Sequence, residues 1–533
     1  MDTADFVIVG AGSAGCALAY RLSENPKFTV TLLEAGPADV SPYIHVPAAI
    51  IKAVGNPALD WCHLAEPDPS RGGRVDLWPA GKTLGGSSSI NGMLFVRGQA
   101  ADYDGWAALG NRGWAFADVL PFFKRMESFA DGDPVWRGRE GPLNVAHLRS
   151  RHLMGDIFVA AAQQVGIPYN PDYNGATQEG VAFPQVTQKR GWRHSASRAY
   201  LWRARGRPNL RIVTGARARR LVFEGTVCVG VEAEHRGRIV RFAAGREVVL
   251  SAGALGSPKL LMLSGIGPAA ALRGLGLTPL IDNPHVGGHL LEHPQGMVSI
   301  DVNVRTYNVD VNSPRIVWYL ARWLVLGDGP AASPYPHAVA FFKSAPGKPR
   351  PDVQVMLGPF AFDFTPQGIV PYRKPAVTAA FNVTLPNNPG RLSLRSADPA
   401  APPVIAHSLY ASAEDLRTTV TAARVIRRIF RSDAFKPYLV RERLPGPEVE
   451  SDAEWEDYLR RTSFLGYHPV GTCRMGPDEG DSVVTPELNV RGVQRLRVVD
   501  ASIMPTLVSG NTNGAAIMIG ERASELILRA HAP

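Results

Sequence analysis

The stretch DFVIVGAGSAGCALAYRLSENPKFTVTLLEAG, Asp5 to Gly36, decides the fold. It reads strand, glycine turn, helix, strand. Phe6 to Val9 is a short apolar run of the kind buried in a parallel sheet. Gly10, Gly12 and Gly15 follow in G-x-G-x-x-G spacing, with Ser13 and Ala14 inside the turn. Ala17 to Leu22 continues as a helix. Thr29 to Leu33 is a second buried strand, closed by Glu34 and Ala35. Gly10 permits a tight turn, and Gly12 lets the backbone approach a pyrophosphate. Gly15 lets the helix pack closely on the strand, the helix N-terminus faces the phosphates, and Glu34 can accept ribose hydroxyls. With strand, helix and acid all in place, the segment predicts dinucleotide binding without choosing between NAD and FAD.

Outward from this unit the pattern continues. A second glycine cluster, PAGKTLGGSSSINGMLFVRG (Pro79 to Gly98), has no strand–helix pattern of its own. Its Gly85-Gly86-Ser87-Ser88 run can lay amides and hydroxyls along a cofactor, and a plain surface turn fits the bare loop as well. Leu210 to Gly267 reads as several strands with turns. Val248 to Gly253 enters another glycine turn, and Ser257 begins a helix with Pro258 at its first position. The tail from Arg495 reads strand, loop, helix, and LRVVDAS is expected to rejoin the first sheet. Between about 306 and 465, AVTAAFNVTL and GRLSLRSADP read as antiparallel strands. SAEDLRTTVTAARVIRRIF reads as a capped amphipathic helix.

The 533 residues exceed what one simple core accommodates, so two intimately joined domains or one large composite unit are expected. The net charge of +9 comes from scattered arginines with no long basic run. That describes a mildly basic enzyme surface rather than a nucleic-acid binder, and it leaves an anionic membrane face open. Four cysteines lie far apart with no CxxC, as in a reduced, cytoplasmic chain. The N-terminus lacks the features of a signal peptide, and no apolar run is long enough to span a bilayer. IVWYLARWLVLG, Ile316 to Gly327, is apolar apart from Arg322. It reads as a buried helix, a lid, a substrate-access element or a peripheral membrane dock, for example at an inner membrane. His468 and Cys473 lack a second ligand pair, and Cys62-His63 stand alone, so no metal site is expected.

Together the motifs VGAGSAG, GKTLGGSSSINGMLFVRG, AGALGSPKLLMLSGIG, YHPVGTCRMG and VVDASIMPTLVSGNTNGAAIMI carry a resemblance. The chain resembles the glucose–methanol–choline oxidoreductases, an FAD family, along its whole length. It looks most like choline-dehydrogenase-like alcohol dehydrogenases, with hydroxymethylfurfural and aryl-alcohol oxidases also similar. The resemblance implies an α/β (α+β) fold. A Rossmann-like FAD domain would cover 1–155, 210–305 and 466–533, and a substrate domain with an antiparallel sheet and flanking helices would cover 156–209 and 306–465. FAD would lie along Gly10 to Gly15, Glu34, Ala35, Trp61, Leu84, Gly85, Gly86, Ser87, Asn91, Gly92, Met93 and Leu94. Ala218, Ala252, Gly253, Asp500, Ala501 and Thr512 would complete its site. Ile90 stands where choline oxidase has a flavin-linked histidine, which implies non-covalent FAD.

Oxidising a primary alcohol removes a hydroxyl proton and an α-hydride, and needs a base within about 3 Å of the oxygen. Imidazole, with an ordinary pKa of about 6.5, is largely neutral at working pH. His468 occupies the family's base position, and Asn513 matches its partner, an amide able to hold alkoxide-like charge. His337 stands where choline dehydrogenases carry a Glu, and Met356 where they carry a His. With Tyr467 as a pocket wall, these imply an aliphatic or aromatic alcohol rather than choline. VGGHLLEH departs from the family's VG-x-NL-x-DH, so His289 and Glu292 alter a contact near the flavin edge. Electrons would pass to oxygen, a quinone or another carrier. The same scaffold also serves hydroxynitrile lyases and light-driven fatty-acid decarboxylases.

Overall fold

Burial of one short apolar run starts the architecture. Phe6, Val7 and Ile8 are fully buried and Val9 nearly so. Each such side chain contributes about 1.5–3 kcal/mol of burial. The computed structural model describes residues 2–311, 313–365, 368–478 and 480–531. Asp2–Val9 is the opening strand, followed by the helix Ser13–Leu22 and the strand Val30–Leu33. Opening strand and second strand run parallel, with Phe6 opposite Val30 and Val9 opposite Leu33. Leu210–Val213 adds parallel to the outer side of Val30–Leu33.

On its other side, Asp2–Val9 pairs parallel with Arg238–Leu250. That strand is 13 residues long and serves two structures. Its first half belongs to an antiparallel ribbon with Val227–His235 and Ala216–Glu224. Its last three residues pair parallel with Leu496–Val498, so the tail does rejoin the first sheet. The C-terminal helix Asn513–Ala530 then packs on the helix Ser13–Leu22. Buried Glu521 locks the two together, accepting from Arg21 Nε at 2.8 Å, Arg125 Nε at 2.7 Å and the Tyr200 hydroxyl at 2.9 Å.

The second sheet is wholly antiparallel. Its order is Leu439–Leu444, Pro294–Val302, Ala376–Val383, Val353–Gly358, Ala338–Phe342, Gly180–Ala182, with Phe464–Leu465 also on Pro294–Val302. The helix Ala413–Phe430 covers it, capped by Ser412 as its sequence predicts. One boundary is corrected. Pro294–Val302 pairs from Gln295 to Asp301 with Ala376–Val383, so this strand, inside the segment 210–305 expected to bind nucleotide, belongs to the substrate-side sheet.

Gly15 shows how tightly the first unit closes. A Cβ there would lie 2.0 Å from the Gly10 carbonyl oxygen. Gly105, inside the helix Ala100–Ala108, has open space around it. Gly15→Ala should therefore destabilise by about 1–3 kcal/mol through overpacking. Gly105→Ala should be neutral or stabilising by about 0.5–1 kcal/mol. Thermal midpoints of the two variants check the contrast, and equal midpoints would contradict it.

Candidate active site

Both sheets end on one cavity of about 920 Å³. It is lined by Glu34 and Ala218 in one part and by Gln295, His468 and Asn511 in another. Every residue proposed from the sequence to bind cofactor or substrate or to act as base lines it except Gly15, Leu84 and Gly85; His289 and Glu292, expected near the flavin edge, do not line it either. Gly15, Leu84 and Gly85 shape the wall from behind. Gly15 packs under the turn, and Leu84 and Gly85 donate their amides to Pro37 and Ala11 carbonyls. The two glycine clusters meet at Gly86, where a Cβ would come within 2.7 Å of the Gly12 Cα.

The nucleotide half is pre-arranged. Glu34 accepts from the Ala11 amide at 3.0 Å and the Gly36 amide at 2.8 Å. Burial still pushes its carboxyl up to about 7. Asp500 accepts from the Gly253 amide at 2.9 Å, the Ser502 amide at 2.8 Å and the Ser257 hydroxyl at 2.5 Å, while burial raises its carboxyl. These groups fit FAD: backbone amides at a helix start for the pyrophosphate, a carboxylate for ribose, and no side chain at Gly10, Gly12 or Gly86 to block it. Ile90 lines the same cavity and offers no nucleophile to the cofactor.

At the reacting end the structure corrects one assignment. Asn513 is turned away from His468. It is the first residue of the C-terminal helix, and its Oδ1 accepts from the Ser13 hydroxyl at 2.7 Å. Asn511, two residues earlier in the same SGNTNG run, donates from Nδ2 to His468 Nε2 at 3.0 Å. Gln354 Nε2 donates to the Asn511 Oδ1 at 2.9 Å, an arrangement that leaves Nδ2 facing His468.

His468 is fixed from behind as well. Its Nδ1 lies 2.9 Å from His293 Nδ1, and His293 Nε2 lies 2.9 Å from the Thr384 carbonyl oxygen. A carbonyl only accepts, so His293 carries its proton on Nε2. His293 Nδ1 is then the acceptor, and His468 donates from Nδ1. His468 Nε2 is then the unprotonated nitrogen, accepting from Asn511 and able to take a proton when a substrate hydroxyl replaces that contact. Glu292 braces this arrangement from below, accepting from the His293 amide at 2.8 Å and from the His468 amide at 2.9 Å. Burial pushes the Glu292 carboxyl up to about 8. Tyr467, with φ of 64°, makes the left-handed turn that brings His468 to this point. His289 reaches the Pro505 carbonyl at 2.8 Å and does not line the cavity.

His337 and Met356 both line the cavity, from adjacent strand ends of the second sheet. His337 Nδ1 accepts from the His152 amide at 3.2 Å, so the proton sits on Nε2, which has no protein partner. Burial lowers this imidazole to about 3 and keeps it neutral. Among the described residues, one group could resemble a metal site: Asp68, Asp76 and His407. Arg71 already occupies it, with Nε 2.6 Å from Asp68 and Nη2 on Asp76. Sequence reasoning missed His293, Gln354 and Asn511. The histidine in LLEHPQG and the first asparagine of SGNTNG were visible signals, whereas Gln354 had none.

Family models described as GMC oxidoreductase match residues 4–295 and 386–520. The chain belongs to this family. It is 43% identical to an oxygen-dependent choline dehydrogenase of Rhizobium johnstonii, over 98% of this chain and 95% of that one. It is 42% identical to a Brucella suis protein of the same name, with the same coverage. Pyridoxine 4-oxidase from Mesorbium loti superposes with a TM-score of 0.90 at 31% identity, covering 99% of this chain and 100% of that one. A variant of Aspergillus oryzae formate oxidase, studied for its FAD modification, gives 0.91 at 26% identity, covering 99% of each chain.

For this GMC oxidoreductase the two asparagines separate cleanly. His468→Ala should slow flavin reduction by about 10²–10⁴. Asn511→Ala should slow it by about 10²–10³. Asn513→Ala should mainly weaken flavin retention, read as absorbance per protein after gel filtration. Stopped-flow reduction that falls more for Asn513→Ala than for Asn511→Ala would contradict the geometry. Burial, then the neighbouring His293, holds His468 well below the ordinary imidazole value. The base form therefore persists in mild acid, and the reduction rate should stay level as pH falls through about 6.5. A rate that halves near that pH would contradict a buried neutral imidazole.

Proposed function

We propose that this enzyme oxidises neutral primary alcohols, medium-chain aliphatic or aromatic, to aldehydes. The observation that carries the reading is the His468–Asn511 pair facing a cavity whose reacting end is lined, among the described residues, by no carboxylate. The acids that line the cavity are Glu34, Asp310 and Asp500. Glu34 and Asp500 belong to the nucleotide half. Asp310 is taken by Arg305 at 2.6 Å and the Tyr319 hydroxyl at 2.9 Å. Gln295, Tyr335, Met356, Phe464 and Tyr467 line the same cavity as His468. A quaternary ammonium finds no counter-charge there, although the relatives named above are choline dehydrogenases.

The cofactor is FAD, which supplies a hydride acceptor at N5. His468 Nε2 takes the hydroxyl proton. The Asn511 N–H donates to the substrate oxygen and stabilises its developing negative charge. As His468 becomes positive, His293 Nδ1 accepts a hydrogen bond from its other nitrogen and shares the charge. His337 offers a single N–H to a polar atom elsewhere on the substrate. Ile90 supports non-covalent FAD, and reduced cofactor would pass electrons to oxygen, a quinone or another carrier.

Anaerobic mixing of the yellow protein with a small alcohol panel tests this. Hexanol, benzyl alcohol and hydroxymethylfurfural should bleach the flavin at least about tenfold faster than choline at equal concentration. Faster bleaching by choline would overturn the substrate class. Bleaching by no alcohol would favour a lyase or a photoenzyme on the same scaffold. Peroxide detection in air, compared with a quinone assay, identifies the acceptor.

A further inference from the structure

The helix Arg315–Leu326 buries only Trp323 among its 12 residues. Val317, Trp318, Leu324, Val325 and Leu326 are 57–80% exposed. Five large apolar side chains on one short helix are far outside the scatter of an ordinary surface. The helix does not need that outer face to stay folded. Its inner side is anchored by the Trp323 indole, which donates to the Gly191 carbonyl at 2.8 Å and packs 4.1 Å from the Trp192 ring.

Trp192 leads to a second feature. It lines a cleft of about 440 Å³ together with Trp202, Lys189, Arg190, Arg193 and Arg198; among the described residues no carboxylate lines it, although Asp39 lies 3.7 Å from Arg198. Arg193 is 2% exposed, and its Nη2 has no partner. Its other nitrogens donate only to neutral oxygens, those of Ile44, Ser88 and Asn91. A buried guanidinium without a carboxylate is costly unless an anion completes it. Arg149 adds further positive charge at the helix C-terminus, 3.5 Å from the Leu326 carbonyl.

We propose that this face docks on an anionic phospholipid bilayer. The helix lies in the interface with its apolar side toward the acyl chains. The cleft takes a lipid phosphate, and Trp192 and Trp202 sit at the headgroup level. The charge of the cleft is what selects a bilayer over a second apolar protein surface. Among the described residues no helix is long and apolar enough to cross a membrane, so the contact is peripheral. Ile316, Tyr319 and Leu320 of the same helix also line the catalytic cavity. Resting on the alcohol-oxidation reading, this places the cavity mouth where a lipophilic alcohol can pass directly from the bilayer.

Flotation of the holoenzyme with vesicles tests the proposal. Vesicles of phosphatidylcholine with about 30% phosphatidylglycerol should carry the protein upward, pure phosphatidylcholine much less, and about 0.5 M salt should weaken the binding. The double variants Val317→Glu/Val325→Glu and Lys189→Glu/Arg190→Glu should each lower partitioning by at least about tenfold. Both should retain wild-type turnover of a water-soluble alcohol. Wild-type protein that stays in the soluble fraction with anionic vesicles would overturn the proposal, as would variants that float like wild type. Light scattering that finds a dimer dissolved by the Val317→Glu/Val325→Glu pair would assign the face to a second copy instead. Flotation requires no turnover, so binding by a protein that no alcohol bleaches would sink only the oxidoreductase reading.

Discussion

One proton shared between two buried imidazoles organises the reacting end of this enzyme. His293 Nδ1 and His468 Nδ1 face each other at 2.9 Å, and only one of them can carry the hydrogen. The Thr384 carbonyl decides which, because it requires a donor from His293 Nε2. The tautomer of His468 therefore depends on a carbonyl two hydrogen bonds away along the chain of contacts. An isolated buried histidine has two tautomers of similar energy; this one has a single satisfied choice.

That choice rests on the antiparallel sheet. Gln354 lies opposite Asn382, and the Thr384 amide reaches the Asp352 carbonyl just beyond the paired region. Gln354 and the Thr384 carbonyl thus sit at the same end of two adjacent strands. From there one orients Asn511 and the other orients His293. A shift of one residue between these strands would turn Gln354 to the opposite face and release the amide of Asn511. Packing in the sheet and acid–base competence at His468 are consequently one constraint. Glu292 adds the backbone half of it by holding the amides of both histidines.

The nucleotide half was legible from the sequence because its information is local. Gly10, Gly12, Gly15 and Glu34 fall within one strand–turn–helix–strand unit, where spacing alone dictates which residues meet. The second glycine cluster was ambiguous in isolation, and its placement against Gly12 appears only through the contact at Gly86. The same limit explains the asparagine. Both Asn511 and Asn513 lie in one motif, and they differ in which side of a helix start each faces. Asn513 enters the helix and meets Ser13, while Asn511 remains in the preceding loop and meets His468. The apolar segment after residue 315 was open for a related reason. Its composition suits burial as well as exposure, and only the neighbours on each side distinguish them.

The amino-acid sequence by itself determined the dinucleotide-binding unit and the mixed two-sheet plan, since each follows from short-range spacing and side-chain chemistry; it singled out His468 only through the resemblance of YHPVGTCRMG to the GMC family. Only the tertiary structure decided that Pro294–Val302 belongs to the substrate-side sheet, that Asn511 is the partner of His468, and that His293 sets its tautomer. Those facts depend on strand register and on contacts between segments far apart in the chain. They arise from packing across the interior, where burial removes water as an alternative hydrogen-bond partner and leaves one arrangement that satisfies every buried polar group along the relay.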